Sequence, residues 1–267
     1  MAPKLLVVGG GKMGSALLTG LIAAEWAPIG DLEVSDPDPA RRRALGDAHP
    51  GLSVLEGPGE AEDALLAVKP DVAEAVLRTL AASGIRRVLS VVAGLSADRL
   101  EAAMEAGGVA GGVVVRAMPN TPALVGSGTA AISGGSAATA ADLDWAEGIL
   151  SAVGTVIRVP ERQLDAVTAV SGSGPAYLYL VAEAMIDGGV AAGLSRAVSQ
   201  DLVVGTILGS ARMMAETGDD PATLRAAVTS PGGTTAAALR TLEFKAVRSA
   251  FIEAVAAAAE RSRQLGR

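Results

Sequence analysis

Lys4-Leu5-Leu6-Val7-Val8-Gly9-Gly10-Gly11-Lys12-Met13-Gly14 decides the fold. The apolar run ending at Val8 has the length and composition of a strand buried on both faces, and Met13–Ala24 continues with helical spacing. Between them Gly9, Gly11 and Gly14 satisfy G-x-G-x-x-G. In a strand-turn-helix setting the first glycine makes the tight turn, the second lets a pyrophosphate approach the backbone, and the third lets the helix pack on the strand. The helix then points its unpaired N-terminal amides at the phosphates. A glycine-rich structural turn is the plainer reading of the glycines alone; their place between strand and helix favours a dinucleotide site.

The next predicted strand, Leu32–Ser35, delivers Asp36 at close to the ~20-residue spacing after Gly14 at which a ribose-binding acid stands. Cofactor choice stays open at this point. Asp36 would accept from a ribose 2′-hydroxyl and repel a 2′-phosphate, whereas Arg41, Arg42 and Arg43 either attract such a phosphate or form the solvated face of a short helix. Further strands are predicted at Leu52–Leu55, Leu65–Val68, Val88–Val92, Val113–Arg116, Gly128–Ile132 and Thr155–Val159, with helices at Pro39–Leu45, Val72–Ala82, Ala97–Ala106 and Ala137–Val153. This alternation predicts an α/β fold, a parallel sheet with covering helices. After Pro160 the strand signal stops and nearly everything to Arg267 reads as helix. The expected plan is a Rossmann-type dinucleotide-binding domain over 1–160 followed by an all-α domain over 161–267. About a hundred helical residues so poor in large side chains have a thin core alone, so subunit pairing is expected.

Composition narrows the function. Of 267 residues, 50% are hydrophobic but only 2% aromatic, which leaves Ala, Val, Leu, Ile and Met to build the core. A net charge of −7 offers no broad basic field for a nucleic acid, so the substrate is sought among small molecules. No cysteine is present, which excludes disulfides, thiolate catalysis and thiolate metal sites; a single histidine, His49, excludes a histidine cluster. Charges, glycines and prolines interrupt every apolar run before the ~18 residues that suggest a membrane span. Because Lys4–Val8 already reads as a strand, no secretory signal is expected, and the expected compartment is the cytosol.

Several segments carry polar groups where a ligand would meet them. Ala67-Val68-Lys69-Pro70 ends the fourth strand at the carboxyl edge of the sheet, where Lys69 either reaches the nicotinamide ribose or substrate or is a surface lysine. Arg116-Ala117-Met118-Pro119-Asn120-Thr121-Pro122 follows another strand, with Asn120 and Thr121 near a turn that two prolines stiffen. Val170-Ser171-Gly172-Ser173-Gly174-Pro175 interrupts a helical region at a cost that calls for a close backbone contact. Glu161, Asp165 and Thr168 precede it on one helical face, either solvated or turned to a cleft. Thr229-Ser230-Pro231-Gly232-Gly233-Thr234-Thr235 offers hydroxyls, two glycines and a following helix start, a ready socket for a small carboxylate. Reducing a ketone calls for an acid to protonate the alkoxide, yet His49 lies in a turn and reads as structural. A protonated C=N bond needs no such donor, because hydride addition neutralises it.

With these motifs in this order along essentially the whole chain, the sequence resembles the pyrroline-5-carboxylate reductase family. The resemblance rests on Gly9–Gly14, Ala67–Pro70, Ser90-Val91-Val92-Ala93-Gly94, Arg116–Pro122, Asp165–Tyr177 and Ser230–Thr235. It implies reduction of 1-pyrroline-5-carboxylate to L-proline with NADPH or NADH, a Rossmann domain followed by an interleaved helical dimerisation domain, and assembly of homodimers, often into decamers. It places Val8, Gly9, Gly10, Gly11, Lys12 and Met13 along the pyrophosphate and Ser35 and Asp36 at the adenosine ribose. Ala67, Val68, Lys69, Pro70 and Ala93 fall on the nicotinamide side, and Pro119 and Asn120 border the reacting ring. Ser230, Gly233, Thr234 and Thr235 would receive the substrate carboxylate, with Glu161 on the substrate side, and Thr235 and Lys69 are the catalytic candidates. Three places depart from the family pattern: Glu56-Gly57-Pro58-Gly59 where an asparagine usually meets the cofactor, Asp71 for glutamine, and Lys12 for asparagine or another polar residue. A 3-hydroxyacid dehydrogenase-like enzyme shares the plan but relies on a lysine on the first long helix of its second domain, and Leu164–Val190 contains none. A non-catalytic nucleotide sensor would keep the glycine loop without need of Ser230–Thr235.

Overall fold

A computed structural model describes residues 3–266. Eight strands, β1 Leu5–Val8, β2 Leu32–Ser35, β3 Ser53–Leu55, β4 Asp63–Leu66, β5 Arg87–Ser90, β6 Val113–Met118, β7 Gly128–Gly134 and β8 Gly154–Arg158, form one sheet in the order β3-β2-β1-β4-β5-β6-β7-β8. Helices α1 Lys12–Ala23, α2 Pro39–Ala48, α3 Pro70–Ala82, α4 Ala97–Ala106 and α5 Ala140–Leu150 connect them. The apolar runs divide between two cores by simple alternation. Leu5 and Val7 of β1 meet Leu17, Leu21 and Leu45 of α1 and α2 on one face, while Leu6 and Val8 meet Leu77, Leu80 and Leu100 of α3 and α4 on the other. Both faces of β1 are thus dry, which is why the run carries no polar residue.

The sheet is parallel from β3 through β6, but β7 runs antiparallel to β6, with Val115 opposite Gly134 and Met118 opposite Ala131. The expected parallel sheet is present with this one pairing as its exception. Pairing two consecutive strands as parallel neighbours needs a long crossover, usually a helix, and the link from β6 to β7 holds only the 3-10 turn Thr121–Val125. Helix α5 then crosses over, so β8 lies parallel to β7.

The remaining helices are α6 Leu164–Val167, continued by a π-helical turn Thr168–Gly172, then α7 Gly174–Ala191, α8 Arg196–Thr217, α9 Pro221–Ala227, α10 Thr234–Phe244 and α11 Val247–Leu265. Packing divides the chain into two compact units, one holding the sheet up to Ser173 together with the residues from Ala257 onward, the other spanning Gly174–Ala256. The break in composition at Pro160 and the break in packing at Ser173 therefore do not coincide. Glu161–Gly172 stays with the sheet unit through contacts with β6 described below.

Within the helical unit, α7 and α8 approach closely because Gly189 has no side chain: a Cβ there would collide with the Ser199 hydroxyl, which donates to the Ile186 carbonyl at 2.9 Å. Among the described residues of this unit Val203, 6% exposed, is the one buried apolar side chain, whereas Leu180 is 66% and Ile252 65% exposed. None of the described helices is long and apolar enough to cross a membrane.

Candidate active site

In the order of strands the sheet reverses direction of growth at β1 and β4, and ligands of such sheets settle outside the strand carboxyl ends at that point. Three ladder bonds continue past the strands there: Gly9 N–H donates to Ser35 O at 2.8 Å, Ala67 N–H to Val8 O at 2.8 Å and Val91 N–H to Leu66 O at 3.0 Å. Val8, Gly9, Ser35, Ala67 and Val91 are therefore fixed side by side, and the loops carrying Val68, Lys69, Pro70 and Ala93 leave from the same edge. Pro119 and Asn120 follow β6 at that edge too, both buried.

Each glycine of the loop has a separate reason. Gly9 has φ of 103°, and a Cβ there would stand 2.5 Å from the Ala67 carbonyl oxygen. At Gly14 a Cβ would collide with the carbonyl oxygen of Gly9, so only glycine lets α1 close on the turn. Gly11 differs: its φ of −69° is ordinary, and nothing lies within 4 Å of a Cβ built on it. The protein thus leaves space over Gly11, and no side chain caps the N-terminus of α1 that opens there. Free amides beside empty space, with Lys12 exposed in the same turn, fit a dinucleotide pyrophosphate. Ser15, one turn into α1, donates its hydroxyl to Gly10 O at 2.7 Å and stiffens the loop. The sequence reading missed it; a hydroxyl one turn after a glycine loop was the available signal.

Asp36 occupies the predicted position after β2, but its carboxylate points inward. It is 2% exposed; Oδ2 accepts from Gly10 N–H and Oδ1 from Asp38 N–H, each at 2.8 Å. Asn120 is also engaged by its own unit, accepting from Thr129 N–H at 2.9 Å and donating to Ser171 O at 3.1 Å. That second bond takes a carbonyl of the π-helical turn, and Gly172 fits against Met118, whose Cε would stand 2.7 Å from an added Cβ. The predicted need for a close backbone contact at the glycines after Val170 is met here by the end of β6.

Glu161 Oε1 accepts from Arg116 Nη1 at 2.6 Å and from Ala97 N–H, at the start of α4, at 2.7 Å. Asp165 Oδ1 accepts from Ser262 of α11 at 2.6 Å. The two acids are thus bracing groups of the sheet unit, with partners far along the chain that no local pattern announces. His49 ends α2, the edge opposite the strand carboxyl ends, where its Nε2 lies 3.1 Å from Thr19 Oγ1.

In the helical unit, Ser230, Gly233, Thr234 and Thr235 form the entry to α10. Gly232 has φ of 70°, Gly233 N–H donates to Ser230 O at 3.1 Å, and a Cβ on Gly233 would collide with the Ser230 hydroxyl. No side chain caps α10. The first-turn amides, those of Thr234, Thr235 and Ala236, are therefore left without intrahelical partners at this end.

A model for pyrroline-5-carboxylate reductase dimerisation matches residues 161–265, and one described as NADP oxidoreductase coenzyme F420-dependent matches residues 4–94. The pyrroline-5-carboxylate reductase of Synechocystis sp. is 44% identical, with all of both chains covered. The chain belongs to the pyrroline-5-carboxylate reductase family. The Corynebacterium melassecola family member is 43% identical over 98% of each chain. Among solved structures, the Coxiella burnetii reductase superposes with a TM-score of 0.89 at 32% identity, covering 100% of both chains. The Plasmodium falciparum pyrroline carboxylate reductase with NADP bound gives 0.85 at 32% identity, covering 99% of this chain and 98% of that one.

Proposed function

We propose that this chain reduces 1-pyrroline-5-carboxylate to L-proline with NADPH or NADH. One observation carries the reading beyond family membership: the uncapped start of α10, where the free amides of Thr234 and Thr235 open a segment, Ser230–Thr235, that carries three hydroxyls and neither lysine nor arginine. A small carboxylate is held there by amides and the helix dipole. The nicotinamide cofactor, when bound, supplies the hydride. The residues of the sheet unit bind and orient: Gly9–Met13 meets the pyrophosphate, while Ala67–Pro70, Ala93 and Pro119 border the nicotinamide end, with Lys69 beside the ribose. Asn120, whose amide holds Thr129 and Ser171, shapes that border without donating to the ring. Thr235 sets the ring nitrogen of the anchored substrate through its hydroxyl. No general acid is required of this chain, because a protonated imine loses its charge as its carbon is reduced. The NADP held by the Plasmodium relative supports the cofactor class.

The exposed apolar surface of α7 and α11, including Leu180 and Ile252, supports a homodimer formed through the helical unit. Assembly of dimers into decamers, in the cytosol, completes the proposal. The test is the loss of reduced-nicotinamide absorbance on adding pyrroline-5-carboxylate; turnover of a hydroxy acid instead, with none of the imine, refutes it. Thr235→Ala is expected to lower kcat or raise KM for the imine with NADPH affinity unchanged, and an equal loss of cofactor affinity would show that the substrate pocket is misassigned.

A further inference from the structure

We propose that the last turn of α11, residues 262–266, is a positioning element for the reaction: it seats the loop after β5 so that Ala93 stays against the nicotinamide. The proposal rests on the placement of Ala93 at the nicotinamide end given above. That loop is anchored at its flanks and open at its tip. Val91 N–H donates to Leu66 O at 3.0 Å and Val92 N–H to Ser90 Oγ at 3.3 Å. Val92 and Leu95 are buried, whereas Ala93 between them is exposed. The chain turns from Ala93 to Leu95 through Gly94 at φ of 80°, a conformation that residues with a side chain rarely adopt.

The end of α11 lies against this turn. A Cβ on Gly94 would stand 3.2 Å from the Leu265 carbonyl oxygen, and one on Gly266 would stand 2.8 Å from the carbonyl oxygen of Gly94. The two backbones therefore meet in van der Waals contact with a glycine on each side. Gly94 has a conformational reason to be glycine; Gly266 is not left-handed, and the space its missing side chain leaves is taken by Gly94. The turn is itself pinned, because Ser262 Oγ donates to Asp165 Oδ1 at 2.6 Å and so joins α11 to α6. Just ahead of α6, Glu161 accepts from Ala97 N–H at 2.7 Å, which holds the far end of the same loop. The hollow left between Gly94, Arg116, Asp165, Thr168 and Ser262 measures about 10 Å³, room for one water molecule at most, so the loop cannot settle inward. None of these contacts involves Gly9–Met13. A fault in the seat should thus misplace the nicotinamide while the pyrophosphate stays held, and a displacement on the order of 1 Å at a reacting centre costs up to about 100-fold in rate.

Three variants of the full chain test this: Ser262→Ala removes the pin, Ser262→Thr keeps a hydroxyl, and Gly266→Ala drives a methyl group toward the Gly94 carbonyl. Each is compared with the wild-type protein by kcat on pyrroline-5-carboxylate, by affinity for ADP, which lacks the nicotinamide, and by the nicotinamide fluorescence of bound NADPH. Ser262→Ala and Gly266→Ala are expected to lower kcat by about five- to 100-fold and to shift the emission of bound NADPH, with ADP affinity within about twofold of wild type. Ser262→Thr should restore most of the wild-type rate and emission. Thermal melts establish folding, and if Gly266→Ala does not fold the Ser262 pair decides alone. Wild-type kcat and emission in folded Ser262→Ala, or ADP affinity lost in step with NADPH affinity, would overturn the proposal and leave the imine-reductase reading standing. If the wild-type protein binds NADPH but does not reduce the imine, while the alanine variants still shift the emission, the substrate reading falls and the seat for the loop stands. Failure of the wild-type protein to bind NADPH would overturn the dinucleotide reading and this proposal with it.

Discussion

Replacing Gly11 by alanine separates a glycine kept for the ligand from glycines kept for the fold. In the protein alone the added methyl group meets nothing within 4 Å, and the backbone at φ −69° accepts any residue. Stability should therefore change by less than about 0.5 kcal/mol, the range of surface substitutions without a structural partner. If a pyrophosphate lies against the Gly11 backbone, the same methyl group occupies its place, and overpacking of this kind costs about 1–3 kcal/mol. That corresponds to a loss of roughly five- to 150-fold in NADPH affinity. Gly9→Ala is the contrasting control: φ of 103° and the Ala67 carbonyl oxygen 2.5 Å from the new Cβ act on the fold itself. Strain of about 1–3 kcal/mol plus the steric clash should lower its melting temperature by several degrees before any ligand is added. Fluorescence titration with NADPH beside thermal melts decides the matter. Unchanged affinity in a fully stable Gly11→Ala protein would refute the placement of the pyrophosphate, since the space over residue 11 would then be empty in the complex too.

Asn120→Ala should destabilise the sheet unit by about 2–4 kcal/mol in urea unfolding, because it orphans the Thr129 N–H and the Ser171 carbonyl at a site only 9% exposed; a loss below about 0.5 kcal/mol would mean that water replaces both bonds. Leu180→Glu, set beside Tyr177 and Phe251 in an apolar hollow of the helical unit, should dissociate the proposed homodimer in analytical ultracentrifugation, and an unchanged sedimentation profile would move the interface elsewhere. Asp142 gives a pH signature away from the proposed site. Burial raises its carboxyl pKa, but the hydroxyl and amide of Thr139 and the Arg87 guanidinium outweigh that and hold it below the ordinary aspartate range. A depressed folded-state pKa means stability that is complete above the unfolded value of ~3.9 and is lost as pH falls through the lower folded value. The stability gap between wild type and Asp142→Asn should thus be present at neutral pH and close under acid; a gap that widens as pH falls would reverse the assigned sign.

What was legible in the sequence was local. Leu5–Gly14 contains its own strand, turn and helix, so its glycines carry their conformational reasons within a few residues, and the strand runs announce a sheet buried on both faces. The direction of β7 was not legible because it depends on whether the link after β6 forms a crossover helix, and Thr121–Val125 is too short for one. The inward turn of Asp36 depends on a bond to Gly10, 26 residues away, and the pairing of Glu161 with Arg116 spans 45 residues. Residue type and spacing singled out both acids; only tertiary contact reveals which way each carboxylate faces.

The segment Val170–Pro175 shows how a local violation can be informative before its partner is known. Two glycines and a proline in a helical run are unfavourable by propensity, and propensity alone would end the helix. In the structure the run continues through one wide π turn, with the Ser171 carbonyl accepting from Asn120 Nδ2 instead of from a helical amide alone, and Gly172 lying where a larger residue would strike Met118. Met118 ends β6 and Asn120 stands in the turn that follows it, at the nicotinamide end of the proposed site. The helical irregularity and the polar turn after β6, two separate puzzles in the sequence, are therefore halves of one contact. Loosening either half should disturb the other, so a substitution at Gly172 is expected to act on the border of the reacting ring although it contributes no polar group there.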